Sequence, residues 1–146
     1  MTTVRDVAQY ILNVTGGPMS TMKLQKLTYY SQALHCAAGL GPMFSEGIEA
    51  WRMGPVCRDL YNAHKGKYSV TSISRGNAGQ LTSEQKRCVE SVLKAYGGLT
   101  GKQLSDMTHA EDPWISAFDG DDEYPNTEIT PETLASYYGK KWGAPA

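Results

Sequence analysis

Residues 22–38 limit the fold more than any other part of the chain. Leu24, Leu27, Ser31, Leu34 and Ala38 recur at steps of three and four, which lines them along one stripe of an α-helix. Ser20 or Thr21 can cap its start and Gly39 can end it. The spacing predicts a core helix with a seam of Leu24, Leu27 and Leu34, and with Lys23, Gln25, Lys26, Gln32 and His35 on its other faces. Tyr29 and Tyr30 stand side by side at its middle. Adjacent helical side chains diverge by about 100°, so at least one tyrosine reaches beyond the seam.

The rest of the chain supplies elements to pack around that helix. Val4, Val7, Ala8, Ile11 and Leu12 predict a first helix over residues 4–14, capped by Thr3 and ended by Gly16-Gly17-Pro18. Residues 46–52 alternate as a short strand, for which residues 67–73 are the expected partner. Between them Pro55 suits the first position of a helix with Val56, Leu60 and Ala63 as its apolar face. Thr82 with Gln85, and Thr100 with Gln103, have the capping-box spacing and open two further helices. Asp112-Pro113-Trp114 is expected to break the second of these and lead into an acidic loop at residues 119–126. Thr130-Pro131 opens a last helix with Leu134, Tyr138 and Trp142 inward. The expectation is a mainly α (α+β) fold, a single compact domain over residues 1–146. It has about five to six helices and a small two-stranded β element.

Charge is uneven along the chain. Residues 52–102 carry nine basic and three acidic side chains, and residues 103–146 carry two basic and nine acidic ones. A basic middle can meet nucleic acid or an acidic protein. The near-neutral total argues against nucleic acid and suggests that the acidic tail neutralises the basic middle. No apolar run approaches a membrane span of about 18 residues, and the N-terminus has no secretory core. With Cys36, Cys57 and Cys88 odd in number and widely spaced, reduced thiols and a cytoplasmic location are expected.

Chemistry-bearing constellations are sparse. Cys57, in the first turn of a helix begun by Pro55, would gain thiolate character from the helix dipole and from Arg58. No local base serves it, because His64 lies two turns away. His35 and Cys36 are adjacent and point apart, and the chain lacks paired Cys/His spacing, an EF-hand pattern and a phosphate-binding glycine loop. Residues 108–114 gather His109, Glu111, Asp112 and Trp114 at a helix end, which suits a packing corner as well as a site. No cofactor, metal or catalytic residue is expected.

Three blocks stand in order: Lys23-Leu-Gln-Lys-Leu-Thr-Tyr-Tyr-Ser-Gln32, then Ile48-Glu-Ala-Trp-Arg-Met-Gly-Pro-Val-Cys-Arg-Asp-Leu-Tyr61, then Thr108-His-Ala-Glu-Asp-Pro-Trp114. Together they resemble the SocA-like antitoxin, or Panacea, family of phage-associated proteins, over nearly the whole chain from the first helix to Tyr137-Tyr138. The resemblance implies a mostly helical domain acting as the antitoxin of a type II-like toxin–antitoxin pair, binding and neutralising a toxin protein by direct contact. One branch of the family delivers its toxin to the ClpXP protease, which adds ClpXP as an expected partner. The other reading is a phage or prophage protein that binds a different host factor. Partner-facing candidates are Tyr29, Tyr30, Trp51, Arg52, Arg58, His109, Asp112 and Trp114. Whichever tyrosine of the pair is less buried is expected to pack under the Gly54-Pro55 turn.

Overall fold

Capping side chains set where the helices begin. In the computed structural model, which describes residues 1–120 and 127–143, helix α1 runs Val4–Thr15 with Thr3 and Asp6 closing a capping box. Gly16 ends it in the left-handed region at φ 77°. Strand β1 (Met19–Ser20) leads into α2 (Thr21–Ala37), whose first turn is capped when Ser20 Oγ accepts from Lys23 N–H.

Strands β2 (Ile48–Trp51) and β3 (Gly54–Cys57) follow, then α3 (Arg58–His64) and β4 (Ser69–Val70). Next come α4 (Ser83–Tyr96) and α5 (Gly101–His109), each opened by the capping box its spacing predicts. The described chain closes with α6 (Asp112–Ala117), β5 (Glu128–Ile129) and α7 (Pro131–Trp142). The expected acidic loop falls, beyond Gly120, outside the described residues.

Two expectations are corrected here. The first concerns the strands. β2 pairs antiparallel with β3 across a tight Arg52-Met53 turn, and with β5 on its other side. Residues 67–73 supply β4 instead, which pairs with β1. Pro55 therefore sits in an edge strand, where a missing N–H is tolerated, and not at a helix start. The result is two small antiparallel sheets rather than one two-stranded element.

The second correction is the helix count. Seven α-helices are present among the described residues, because Pro113 lies in the first turn of α6 and starts a helix where a break was expected.

Helix α2 is packed by α1, α4, α5, α7 and β3. Leu24, Leu27 and Ser31 are buried as the seam requires, but Leu34 is half-buried and Ala38 is exposed. Gln25, Lys26, Gln32 and His35, placed outside the seam by spacing, are buried as well. With neighbours packed closely around this part of the helix, the polar ends of Gln25, Gln32 and His35 are satisfied by protein. Gln32 Oε1 accepts from Met43 N–H at 2.7 Å, and its Nε2 donates to the Phe44 carbonyl at 2.9 Å. His35 Nδ1 lies 2.6 Å from the Gly41 carbonyl and donates to it. The polar residues of α2 thus clasp the loop that carries the chain to β2. Among the described residues, no helix is long and apolar enough to cross a membrane.

Candidate partner-binding site

At the turn of the β2–β3 hairpin, backbone carbonyls meet side-chain donors from the neighbouring helices. Three consecutive ones are captured by α5 and α6. The Trp51 carbonyl accepts from Trp114 Nε1 at 2.7 Å, that of Arg52 from His109 Nε2 at 3.0 Å, and that of Met53 from Ser105 Oγ at 2.7 Å. His109 can donate there only with its proton on Nε2.

The His109 ring lies 4.2 Å from Trp114, which stacks on Phe118 at 4.7 Å. The guanidinium of Arg52 sits 6.0 Å over the Phe118 ring. On the other side of the hairpin, Trp51 Nε1 donates to Glu49 Oε1, and Arg58 pairs with the same carboxylate at 2.8 Å while covering the indole at 5.2 Å. What the hairpin presents to solvent is Arg52 and Met53, the latter 52% exposed, with Ile115 of α6, 50% exposed, on the neighbouring helix.

The structure therefore brings Trp51, Arg52, Arg58, His109 and Trp114 together. Asp112 lies apart from them, exposed beside an open hollow of about 640 Å³ formed with Glu132, Tyr137, Lys140 and Lys141 of α7. Tyr29 and Tyr30 are buried in the core. Neither lies under the Gly54 turn as expected; the side chains there are Lys26 and Thr108.

Gly54 has φ 119°, and a Cβ on it would stand 2.6 Å from Lys26 Cε and 3.0 Å from Thr108 Oγ1. Both backbone strain and overlap oppose a side chain. Gly54→Ala should destabilise by about 2–3 kcal/mol in urea titrations. Gly98→Ala, where a Cβ meets nothing within 4 Å, should change stability by less than about 0.5 kcal/mol.

Gln25 joins α2 to the start of α3. Its Oε1 accepts from Cys57 N–H at 3.0 Å, and its Nε2 donates to the Cys57 carbonyl at 3.2 Å and to His64 Nε2 at 3.0 Å. With Oε1 fixed by the Cys57 N–H, the amide presents only donors to His64. The imidazole is then neutral with its proton on Nδ1, in keeping with burial pulling its pKa down.

The helix-dipole reading of Cys57 is corrected by the same geometry. Cys57 ends β3 and precedes α3, and burial outweighs the N–H groups of Leu60 and Asp59, pushing the thiol up to about 12. Burial thus opposes the thiolate character that a helix start would have lent Cys57. Cys36 and Cys88 are also buried and unpaired, with their thiols pushed up to about 11 and about 12 by burial.

The three sequence blocks thus meet in space: α2 lies under the hairpin, and the hairpin is held by α5 and α6. Residues 24–115 match the family model described as "Antitoxin SocA-like, Panacea domain", which is more than half of the chain. The chain belongs to the SocA-like Panacea family. Toxin–antitoxin systems are the family's general association. No curated protein and no solved structure matches the chain. The family match begins inside α2 and ends inside α6, so α1 and α7, which the resemblance was expected to include, fall outside it.

Helix α7 nonetheless completes the core of this Panacea chain. Glu111 is buried, and its Oε1 accepts from Tyr30 at 2.8 Å and from Tyr138 of α7 at 2.6 Å. Tyr138 spends its proton on Glu111, so the Tyr29 hydroxyl, 3.0 Å away, donates to Tyr138. Burial holds all three phenols well above the ordinary tyrosine range. The Tyr-Tyr pair thus carries a phenol network around one carboxylate. Sequence reasoning did not assign roles to Lys26, Ser105 or Glu111. Glu111 lay within the noticed 108–114 cluster, whereas Ser105 gave no sequence signal.

Proposed function

We propose that this chain is the antitoxin of a type II-like pair, binding a toxin protein and masking its active surface with the face made by the hairpin, α5 and α6. The observation that carries this reading is the anchored hairpin tip, with three successive carbonyls captured while Arg52 and Met53 face solvent. A surface ordered before binding loses little conformational entropy on docking. Arg and Met, backed by Trp and Phe, are residue types enriched at interface cores.

The test is co-expression with the protein encoded by the neighbouring gene. The wild-type chain should restore growth. The double variant Arg52→Glu with Met53→Asp should bind at least about tenfold more weakly while still unfolding in one cooperative transition, because both side chains are exposed. No rescue by wild type, or equal rescue by the variant, contradicts the reading. Rescue that depends on ClpXP would replace masking with delivery to the protease.

A further inference from the structure

Lys26 is 1% exposed and packs, as Thr108 does, against Gly54, and no described residue gives its Nζ a hydrogen bond or an ion pair. It lines a cavity of about 200 Å³ beside the hairpin, together with Gln25, Trp51, Met53, Tyr61 and His64. Among the described residues, no carboxylate borders that cavity. Its two other strongly polar neighbours, Gln25 and His64, already satisfy each other. Desolvation pulls the Lys26 amine down to about 7. The other titratable side chains lining the cavity are His64 and Tyr61 of α3. A buried ammonium without a counter-ion is strongly unfavourable, and an outside carboxylate would relieve it.

We infer that the cavity accepts a Glu or Asp side chain from an acidic segment of the protein partner, its carboxylate pairing with Lys26 Nζ and its methylenes lying against Trp51 and Tyr61. An acidic segment fits better than a lone chain terminus, because Arg52, exposed at the tip of the same hairpin between Trp51 and Met53, offers a second cation to the residues that flank the inserted one. This inference rests on the proposal that the hairpin face docks a partner.

The cavity can be tested without the partner. N-acetylglutamate N-methylamide is titrated into the full chain and the Lys26 Cε–Hε signal followed by NMR, with the glutamine analogue as control. The glutamate probe should shift that signal saturably and raise the proton affinity of Lys26 at least about tenfold. The glutamine analogue should do neither, and Lys26→Met should lose the tryptophan fluorescence change seen on adding the glutamate probe. No shift up to tens of millimolar probe, or the same shift with the glutamine analogue, overturns the inference.

A second arm uses the toxin. Lys26→Met, still folded by thermal melt, should bind it at least about tenfold more weakly. Full affinity in that variant, with affinity lost in the Arg52→Glu/Met53→Asp variant, overturns the acidic contact and leaves the docking face standing. Full affinity in both overturns the docking face, and the glutamate titration still decides the cavity.

Discussion

Replacing Lys26 by methionine is expected to stabilise the protein by about 2–4 kcal/mol at pH 7, read as a higher urea midpoint at unchanged m. Methionine keeps most of the alkyl volume beneath Gly54 and removes the amine. The sign follows from linkage. The amine titrates near 7 in the folded chain and near 10.5 when unfolded, so between those values the unfolded chain holds a proton that the folded one lacks. Wild-type stability therefore rises with pH across that window and is flat below about 7, where both states are charged. The gap between variant and wild type should be widest at pH 7 and below, and should close towards pH 10.5. A pH-independent gap, or a less stable variant, would show that the ammonium is already paired. The same substitution should raise the pKa of His64, which the Lys26 charge now lowers.

The second large effect is expected at Glu111. Glu111→Ala leaves the hydroxyls of Tyr30 and Tyr138 buried without their common acceptor, and Tyr29 depends on the same chain of bonds. An orphaned buried hydroxyl costs about 1–3 kcal/mol, so a loss of about 3–5 kcal/mol is expected by thermal and urea unfolding. Glu111→Gln keeps an acceptor and should lose less than half as much. Tyr138→Phe should show strong coupling to Glu111→Ala in a double-mutant cycle, because once the carboxylate is gone the Tyr138 hydroxyl has lost its acceptor. Additive losses would mean the tyrosines do not act as one network.

The elements that local chemistry specifies were legible in the sequence. Capping boxes at Thr82 and Thr100, the cap at Thr130 with Pro131, and the Gly16 stop all sit where residue type and spacing place them. What failed were inferences needing knowledge of neighbours. Periodicity assigns α2 a polar face, but surrounding elements bury Gln25, Lys26, Gln32 and His35, and nothing in the spacing announces that the backbone of β3 will satisfy Gln25 and that loop carbonyls will take up Gln32 and His35. Pro55 fits a helix start and an edge strand equally well, and the choice is made by the Arg52-Met53 turn that brings Gly54 opposite Trp51. The candidate site divided along the same line. Residues of the hairpin and of the 108–114 corner converge because backbone carbonyls at the turn need donors, whereas Tyr29 and Tyr30 turn into the core towards Glu111, which lies 81 residues beyond Tyr30 in the chain.

The family match stops before α7, yet α7 contributes Tyr138 to the phenol network around Glu111. The Panacea signature is thus tied, through α2 and through Glu111 at the start of α6, to a helix that the signature does not include, and changes in α7 should reach the proposed docking face through the core and through that contact.

The central claim is that a toxin docks on the hairpin and the α5–α6 corner. Hydrogen exchange of the chain alone and in complex with the neighbouring gene's product tests it most directly. The account predicts slowed exchange on binding in residues 51–58 and 105–118, with α1 and the solvent side of α4 unchanged. Protection confined to α4 or to the hollow between Asp112 and α7, with the hairpin amides unaffected, would contradict it.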